Sequence, residues 1–187
     1  MHLSKEEVRM LILQKELFTQ YGDLDGQLTA NGFDVRLAAL VEVNGGGKLG
    51  IQKEANKPPQ LGKAFVWKGY EDRVQGYGVG KVEIAQSVLL RPLQPYLAVT
   101  CEKVMTPLHV MFHITPRSSL FRLTQSLLGC SFGEAGYHGF LTFLLLSFLA
   151  SEIELGARFA QLSFSELKGT ANYTEQKEAN YQGGKLF

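Results

Sequence analysis

The sequence predicts a mainly β protein: an antiparallel barrel or jelly roll with one helix at its front. Three observations carry this. Short strand-like runs recur from Phe33 to Phe164. Turn residues fall between them, among them Pro92, Pro95, Pro107 and Asn44-Gly45-Gly46-Gly47. Extended helical periodicity is confined to the N-terminal segment.

The helix comes first. Ser4-Lys5-Glu6-Glu7 has the pattern of a capping box, in which serine and glutamate side chains satisfy each other's backbone N–H groups. Met10, Leu13 and Leu17 then fall on one stripe, with Leu11 and Phe18 beside it. This predicts a helix over 4–20, ended by Tyr21-Gly22-Asp23. From Phe33 the period becomes two: Phe33, Val35 and Leu37 alternate, and Val41 and Val43 continue after a break. Asp34 and Arg36 share the other face of that strand, as an ion-paired surface or as part of a site.

Residues 52–80 are polar, with Pro58-Pro59 and several glycines, and read as a long loop within one domain. Gly76-Tyr77-Gly78-Val79-Gly80 matches no phosphate loop, and Trp67 reads as a partly buried anchor. Further strands are expected at 82–84, 87–90, 96–100, 109–114, 140–148 and 158–164. The polar tail, 168–187, reads as a mobile arm of a single domain spanning 1–187.

A chain of 187 residues can bury a sizeable core. Its formal net charge of +1 gives no field for gripping a nucleic-acid backbone, so any phosphate needs a local cluster of donors. Cys101 and Cys130 are far apart and lack a CxxC partner, which points to reduced thiols and a cytoplasmic protein. No signal peptide is visible, and the longest apolar run, 140–150, is too short to span a bilayer.

Two short segments carry candidate chemistry. In Thr115-Pro116-Arg117-Ser118-Ser119-Leu120-Phe121-Arg122, two guanidinium forks and two hydroxyls converge as an anion site requires. Ser118 is the expected N-cap of a short helical turn, with Arg122 one turn on. The alternative is a capped surface turn with solvated arginines. In Glu134-Ala135-Gly136-Tyr137-His138-Gly139, the glycines permit a tight turn that points a carboxylate and a ring at one pocket. Glu134 can activate water and Tyr137 can pack on a sugar; otherwise the acid is solvated and the ring pins the turn. His109 and His113, four apart on a strand, lie roughly 13 Å from each other, too far to share a metal. No metal ligand set is assigned, and the zinc-deaminase signature is absent.

With these pieces placed, the chain resembles the dCTP deaminase and dUTPase superfamily. Asn31-Gly32-Phe33-Asp34-Val35-Arg36-Leu37 resembles the first family block, and 97–104 a strand ahead of the signature. Pro116-Arg117-Ser118-Ser119-Leu120 with Arg122 resembles the phosphate-binding block, and 134–139 the turn that follows it. Gly156 with Arg158, Gln161-Leu162 and Phe164 resembles the fourth block, and Tyr173 with Tyr181-Gln182 the C-terminal arm. The resemblance implies a distorted jelly-roll barrel, a homotrimer with sites between subunits, and a deoxynucleoside triphosphate bound with Mg²⁺. It implies phosphate binding by Arg117, Ser118, Ser119 and Arg122, and nucleoside binding by Tyr137, Tyr173, Tyr181 and Gln182.

The chain departs from the pattern at several positions. Leu144 stands where deaminases of this family carry a glutamate, and an aliphatic side chain moves no proton. Glu134 replaces the turn aspartate, Thr124 a glycine, and Asn180 a lysine. The glycine-rich fifth block of trimeric dUTPases is absent. The expectation is a dUTP diphosphatase: Glu134 positions water against the α-phosphate, Mg²⁺ rides on the triphosphate, and Asp34 assists the hydrated metal. The alternatives are a dCTP deaminase with an atypical site and a nucleotide-binding homologue without catalysis.

Overall fold

A computed structural model describes residues 1–14, 17–176 and 181–185. Its elements, in chain order, are α1 (Lys5–Leu13), β1 (Phe18–Thr19), α2 (Leu24–Gln27), β2 (Leu28–Thr29) and β3 (Gly32–Gly45). Next come β4 (Gln60–Val66), β5 (Lys81–Ile84), β6 (Ser87–Leu90), β7 (Pro95–Met105) and β8 (Val110–Pro116). Then follow α3 (Ser118–Thr124), β9 (Ser126–Gly129), β10 (Phe132–Gly133), β11 (His138–Ser147), β12 (Ser151–Glu154) and β13 (Arg158–Glu166).

Among the described residues the strands form a mainly antiparallel, curled half-barrel. Its central order is β10-β8-β13-β3-β7-β11-β9, and a separate two-stranded antiparallel sheet pairs β12 with β6. The 14-residue β3 produces the curl. Its first half pairs with β13, and its second half lies between β7 and β4. Register shifts at Leu37/Ala39 and Arg158/Ala160 mark the bend, as bulges do in closing sheets. Because β3 is covered on both faces, Leu37, Ala38, Ala39, Leu40 and Val41 are all buried. The apparent break after Leu37 is therefore one continuous, doubly buried strand.

The front of the core is aromatic. Phe18 stacks on Phe33 with centroids 4.5 Å apart and meets Phe164 edge-on at 5.7 Å. The expected capping box at Ser4 and Glu7 is present, but α1 ends at Leu13 instead of reaching Gln20. Phe18 is committed to β1, where it pairs with Val104. Met10 and Leu13, read from the sequence as part of the buried stripe, are exposed; Val8 and Ile12 carry the buried face.

The segment 52–80 is not simply a loop. It contains β4, which pairs antiparallel with β3 and parallel with β5. The strand is inconspicuous because its core positions are small. Ala64 is buried, and a Cβ at Gly62 would lie 2.4 Å from the Asn44 side chain. Trp67 is the expected anchor, stacked on Tyr70 at 5.3 Å.

The described part of the tail, 168–176 and 181–185, makes specific contacts with the rest of the domain. Tyr173 is buried in a short 3-10 turn (Tyr173–Glu175), and Gly183 N–H donates to the His138 carbonyl at 2.7 Å. Asn180 lies outside the described residues.

Candidate functional site

The arginine-serine segment expected to bind an anion lies where β8 runs into α3. Arg117, not Ser118, occupies the N-cap position, and no side chain caps the helix; Ser118 is its first residue. Ser118 is exposed and Ser119 half-buried, while the Leu120 N–H is already donated to the Arg117 carbonyl at 2.9 Å. Thr124 closes the helix: its hydroxyl donates to the Leu120 carbonyl at 2.6 Å. Its own carbonyl accepts from the Ser147 and Ser151 hydroxyls. Arg122 is exposed, with its guanidinium 5.5 Å from the Phe121 ring centroid.

Arg117 is held from below. Its Nε lies 3.0 Å from Oδ2 of Asp34, which is 1% exposed. Arg158 approaches the same oxygen at 3.5 Å, and its guanidinium also donates to the Gly26 carbonyl. Gln161 reaches the other carboxylate oxygen at 3.5 Å while donating to Thr29 at 2.7 Å. Burial pushes the Asp34 carboxyl above its usual range, and the two arginines oppose that rise without cancelling it. Its neighbour on the strand, Arg36, pairs at 2.7 Å with Glu102, which is fully buried. Of the readings open for Asp34 and Arg36, ion pairing holds for both, although the pairs are internal and not on a solvated face.

The turn at 134–139 is clamped on two sides. Tyr137 N–H closes it onto the Glu134 carbonyl at 3.2 Å, with Gly136 at φ +77°. Gly136 N–H donates to Thr106, and Ala135 C=O accepts from Tyr173 N–H. Tyr137 is buried; its hydroxyl donates to the Phe140 carbonyl at 2.7 Å, and its ring meets Tyr173 edge-on. Burial pushes its phenol well up from the usual value, so it stays protonated.

Beside this turn lies a cleft of about 580 Å³. Glu134, Tyr137, Thr142, Leu144, Tyr173 and Tyr181 all contribute to its wall. The alternation of β11 puts Leu141, Phe143 and Leu145 inside and leaves Leu144 exposed on the cleft side. The Thr142 hydroxyl is buried and has no hydrogen-bond partner among the described residues. Glu134 accepts from Gln176 at 2.9 Å, and Gln182 bridges His138 N–H and the Gly136 carbonyl. Arg117, Ser118, Ser119 and Arg122 do not line this cleft. The structure thus brings Glu134 together with Tyr137, Tyr173, Tyr181 and Gln182, and leaves Arg117, Ser118, Ser119 and Arg122 as a separate group within one chain.

The residues do not fit a metal held by the protein. Among the described residues no group of three metal-ligating side chains converges, and Asp34 is committed to two arginines. Sequence reasoning did not identify the clamp formed by Asp34, Arg158 and Gln161, nor Lys185, which also lines the cleft. The clamp was partly signalled, since its members lie in the first and fourth family blocks. Lys185 ends the Tyr181-Gln182-Gly183-Gly184-Lys185 stretch that resembles a deaminase-type tail, but its place in the cleft wall was not foreseen.

The sheet topology places the chain among the mainly antiparallel, curled β half-barrel folds. The family profile described as dCTP deaminase-like matches residues 2–167, and the chain belongs to that family. It is 34% identical over 145 residues to a dCTP deaminase from Thermococcus gammatolerans, covering 72% of this chain and 88% of that one. It is 29% identical over 137 residues to a probable deoxyuridine 5'-triphosphate nucleotidohydrolase from Archaeoglobus fulgidus, covering 73% and 70%. The fold resembles a crystal structure of 2'-deoxycytidine 5'-triphosphate deaminase from Agrobacterium tumefaciens, with a TM-score of 0.59 and 19% identity. That match covers 87% of this chain and 46% of the other.

No helix among the described residues is long and apolar enough to cross a membrane.

Proposed function

We propose that this protein binds dCTP and deaminates it, with Glu134 as the proton carrier. The observation that carries this reading is the cleft: Glu134 is its one carboxylate among the described lining residues, within a chain of the dCTP deaminase-like family. Water adds at C4 of the cytosine and ammonia leaves, giving dUTP. Glu134 takes a proton from the water and returns one to the departing amine. The unpartnered Thr142 hydroxyl offers a hydrogen bond to the bound base or to that water. Relatives named dCTP deaminase favour this over the dUTP diphosphatase expected from the sequence.

The triphosphate falls to Arg117, Ser118, Ser119 and Arg122, and the nucleoside to Tyr137, Tyr173, Tyr181 and Gln182. Since the first group does not line the cleft, a complete site joins the cradle of one subunit to the cleft of another. A homotrimer supplies that arrangement. Apolar side chains exposed around α3 and β9, namely Phe121, Leu123 and Leu127, support such an assembly. Mg²⁺ enters as the counterion of the triphosphate.

Leu144 favours a second reading. A cleft with an aliphatic wall where the family has glutamate suits diphosphate hydrolysis of dUTP, with Glu134 orienting the attacking water. Incubation with Mg²⁺ and either dCTP or dUTP separates the two. Ammonia from dCTP supports deamination, and pyrophosphate from dUTP supports hydrolysis. Binding without either product identifies a homologue that no longer performs catalysis.

A further inference from the structure

The segment 181–185 is packed against β11 by contacts that only glycine permits. A Cβ at Gly139 would lie 2.3 Å from the Gly184 nitrogen, and one at Gly184 would lie 2.6 Å from the Phe140 nitrogen. Gly183 and Gly184 have φ of +82° and +80°, and Gly139 has φ of +148°. Tyr181 N–H donates to the Tyr173 hydroxyl at 3.2 Å. Two side chains from the polar stretch before β5 reach this junction. The Tyr77 hydroxyl donates to the Gly184 carbonyl at 3.3 Å. The Arg73 guanidinium lies 3.4 Å from the centroid of the Phe140 ring, itself part of the cleft wall. Arg73 is fixed in turn, donating to the Thr100 and Cys101 carbonyls at 3.3 and 2.8 Å.

We propose that Tyr77 is a positioning residue: it holds the 181–185 segment against β11 so that Lys185 stands in the wall of the cleft and meets an anionic group of the bound nucleotide. Lys185 is the one cation among the described residues lining this cleft, whose only carboxylate among them is Glu134. An ammonium on a short glycine-rich segment reaches a phosphate only if the segment is held in place. The strut and the cation are therefore one device, and the role of the 70–80 stretch is to brace the tail. The Lys185 half rests on the nucleotide-binding function proposed above; the Tyr77 half does not.

Tyr77→Phe keeps the ring and removes only the hydroxyl. Amide exchange of a peptide covering 181–185 should become about fivefold faster in this variant, the effect of one lost hydrogen bond. Exchange indistinguishable from wild type overturns the strut. Calorimetric titration with dCTP tests the cation: Lys185→Ala should weaken binding about tenfold and Tyr77→Phe about fivefold. Combining them should cost no more than Lys185→Ala alone, because Tyr77 acts through Lys185. Additive losses, or unchanged affinity in Lys185→Ala, overturn the coupling. Wild-type protein that binds no dCTP overturns the functional reading and the Lys185 half with it; the exchange result then still decides the strut.

Discussion

Nε of Arg117 lies 3.0 Å from Oδ2 of Asp34, an oxygen it shares with Arg158 at 3.5 Å. This carboxylate is almost wholly buried and fixes an arginine at the start of α3, beside Ser118 and Ser119. In the proposed function this carboxylate aims Arg117 at a phosphate; its two ion pairs leave it uncommitted to the metal-assisting role expected from the sequence.

Asp34→Asn should therefore fold and weaken dCTP binding about tenfold, because Arg117 loses its anchor. It should also change the pH dependence of stability. Burial raises the folded-state pKa of Asp34 above the ordinary 3.8, so the folded protein holds that proton more tightly than the unfolded chain. Its contribution is greatest at low pH and declines as pH rises through the range just above 3.8. Denaturation midpoints of wild type measured relative to Asp34→Asn should fall across that range. A wild-type advantage that grows with pH contradicts the assignment.

Leu144→Glu returns a carboxylate to the cleft wall. Leu144 is 47% exposed, so the substitution should cost less than about 1 kcal/mol of stability. Ammonia release from dCTP should rise at least tenfold, the lower end of what a positioned acid–base group contributes. A folded variant with no gain would mean that the proton path does not pass this side of β11.

Arg73→Met removes a buried guanidinium that serves the Thr100 and Cys101 carbonyls and the Gln20 side chain. Its loss leaves those acceptors without partners and should destabilise the protein by about 2–4 kcal/mol, read as a lower urea midpoint. Unchanged stability would show that water replaces the guanidinium.

The two thiols should separate cleanly. Cys101 is fully buried, and burial pushes its pKa up to about 12; Cys130 is exposed. A disulfide reagent at pH 8 should titrate one thiol in the native protein and two after denaturation. Fast reaction of both in native protein would contradict the packing of β7.

Much of this was legible in the sequence, for identifiable reasons. The strands expected at 140–148 and 158–164 and the capping box at Ser4 are local patterns, and each reappears in the structure. The misreadings lie where tertiary context overrides local signals. Gln60–Val66 is a strand built on Gly62 and Ala64, residues with little hydrophobic signal, and only the covering β3 makes it one. The helix over 4–20 stops at Leu13 because Phe18 is worth more in the aromatic core than on a helix stripe. Asp34 gave no hint of its partners, which lie more than 80 positions away in sequence. Long-range ion pairs of this kind are invisible to periodicity.

The central claim is that Glu134 moves the proton in the chemistry on the bound base. The direct measurement is ammonia release from dCTP by wild type and Glu134→Gln, both saturated with nucleotide and Mg²⁺. The account predicts ammonia from wild type and at least a hundredfold loss in the variant with dCTP affinity largely retained. Equal rates in the two proteins, or no ammonia from nucleotide-saturated wild type, would contradict it.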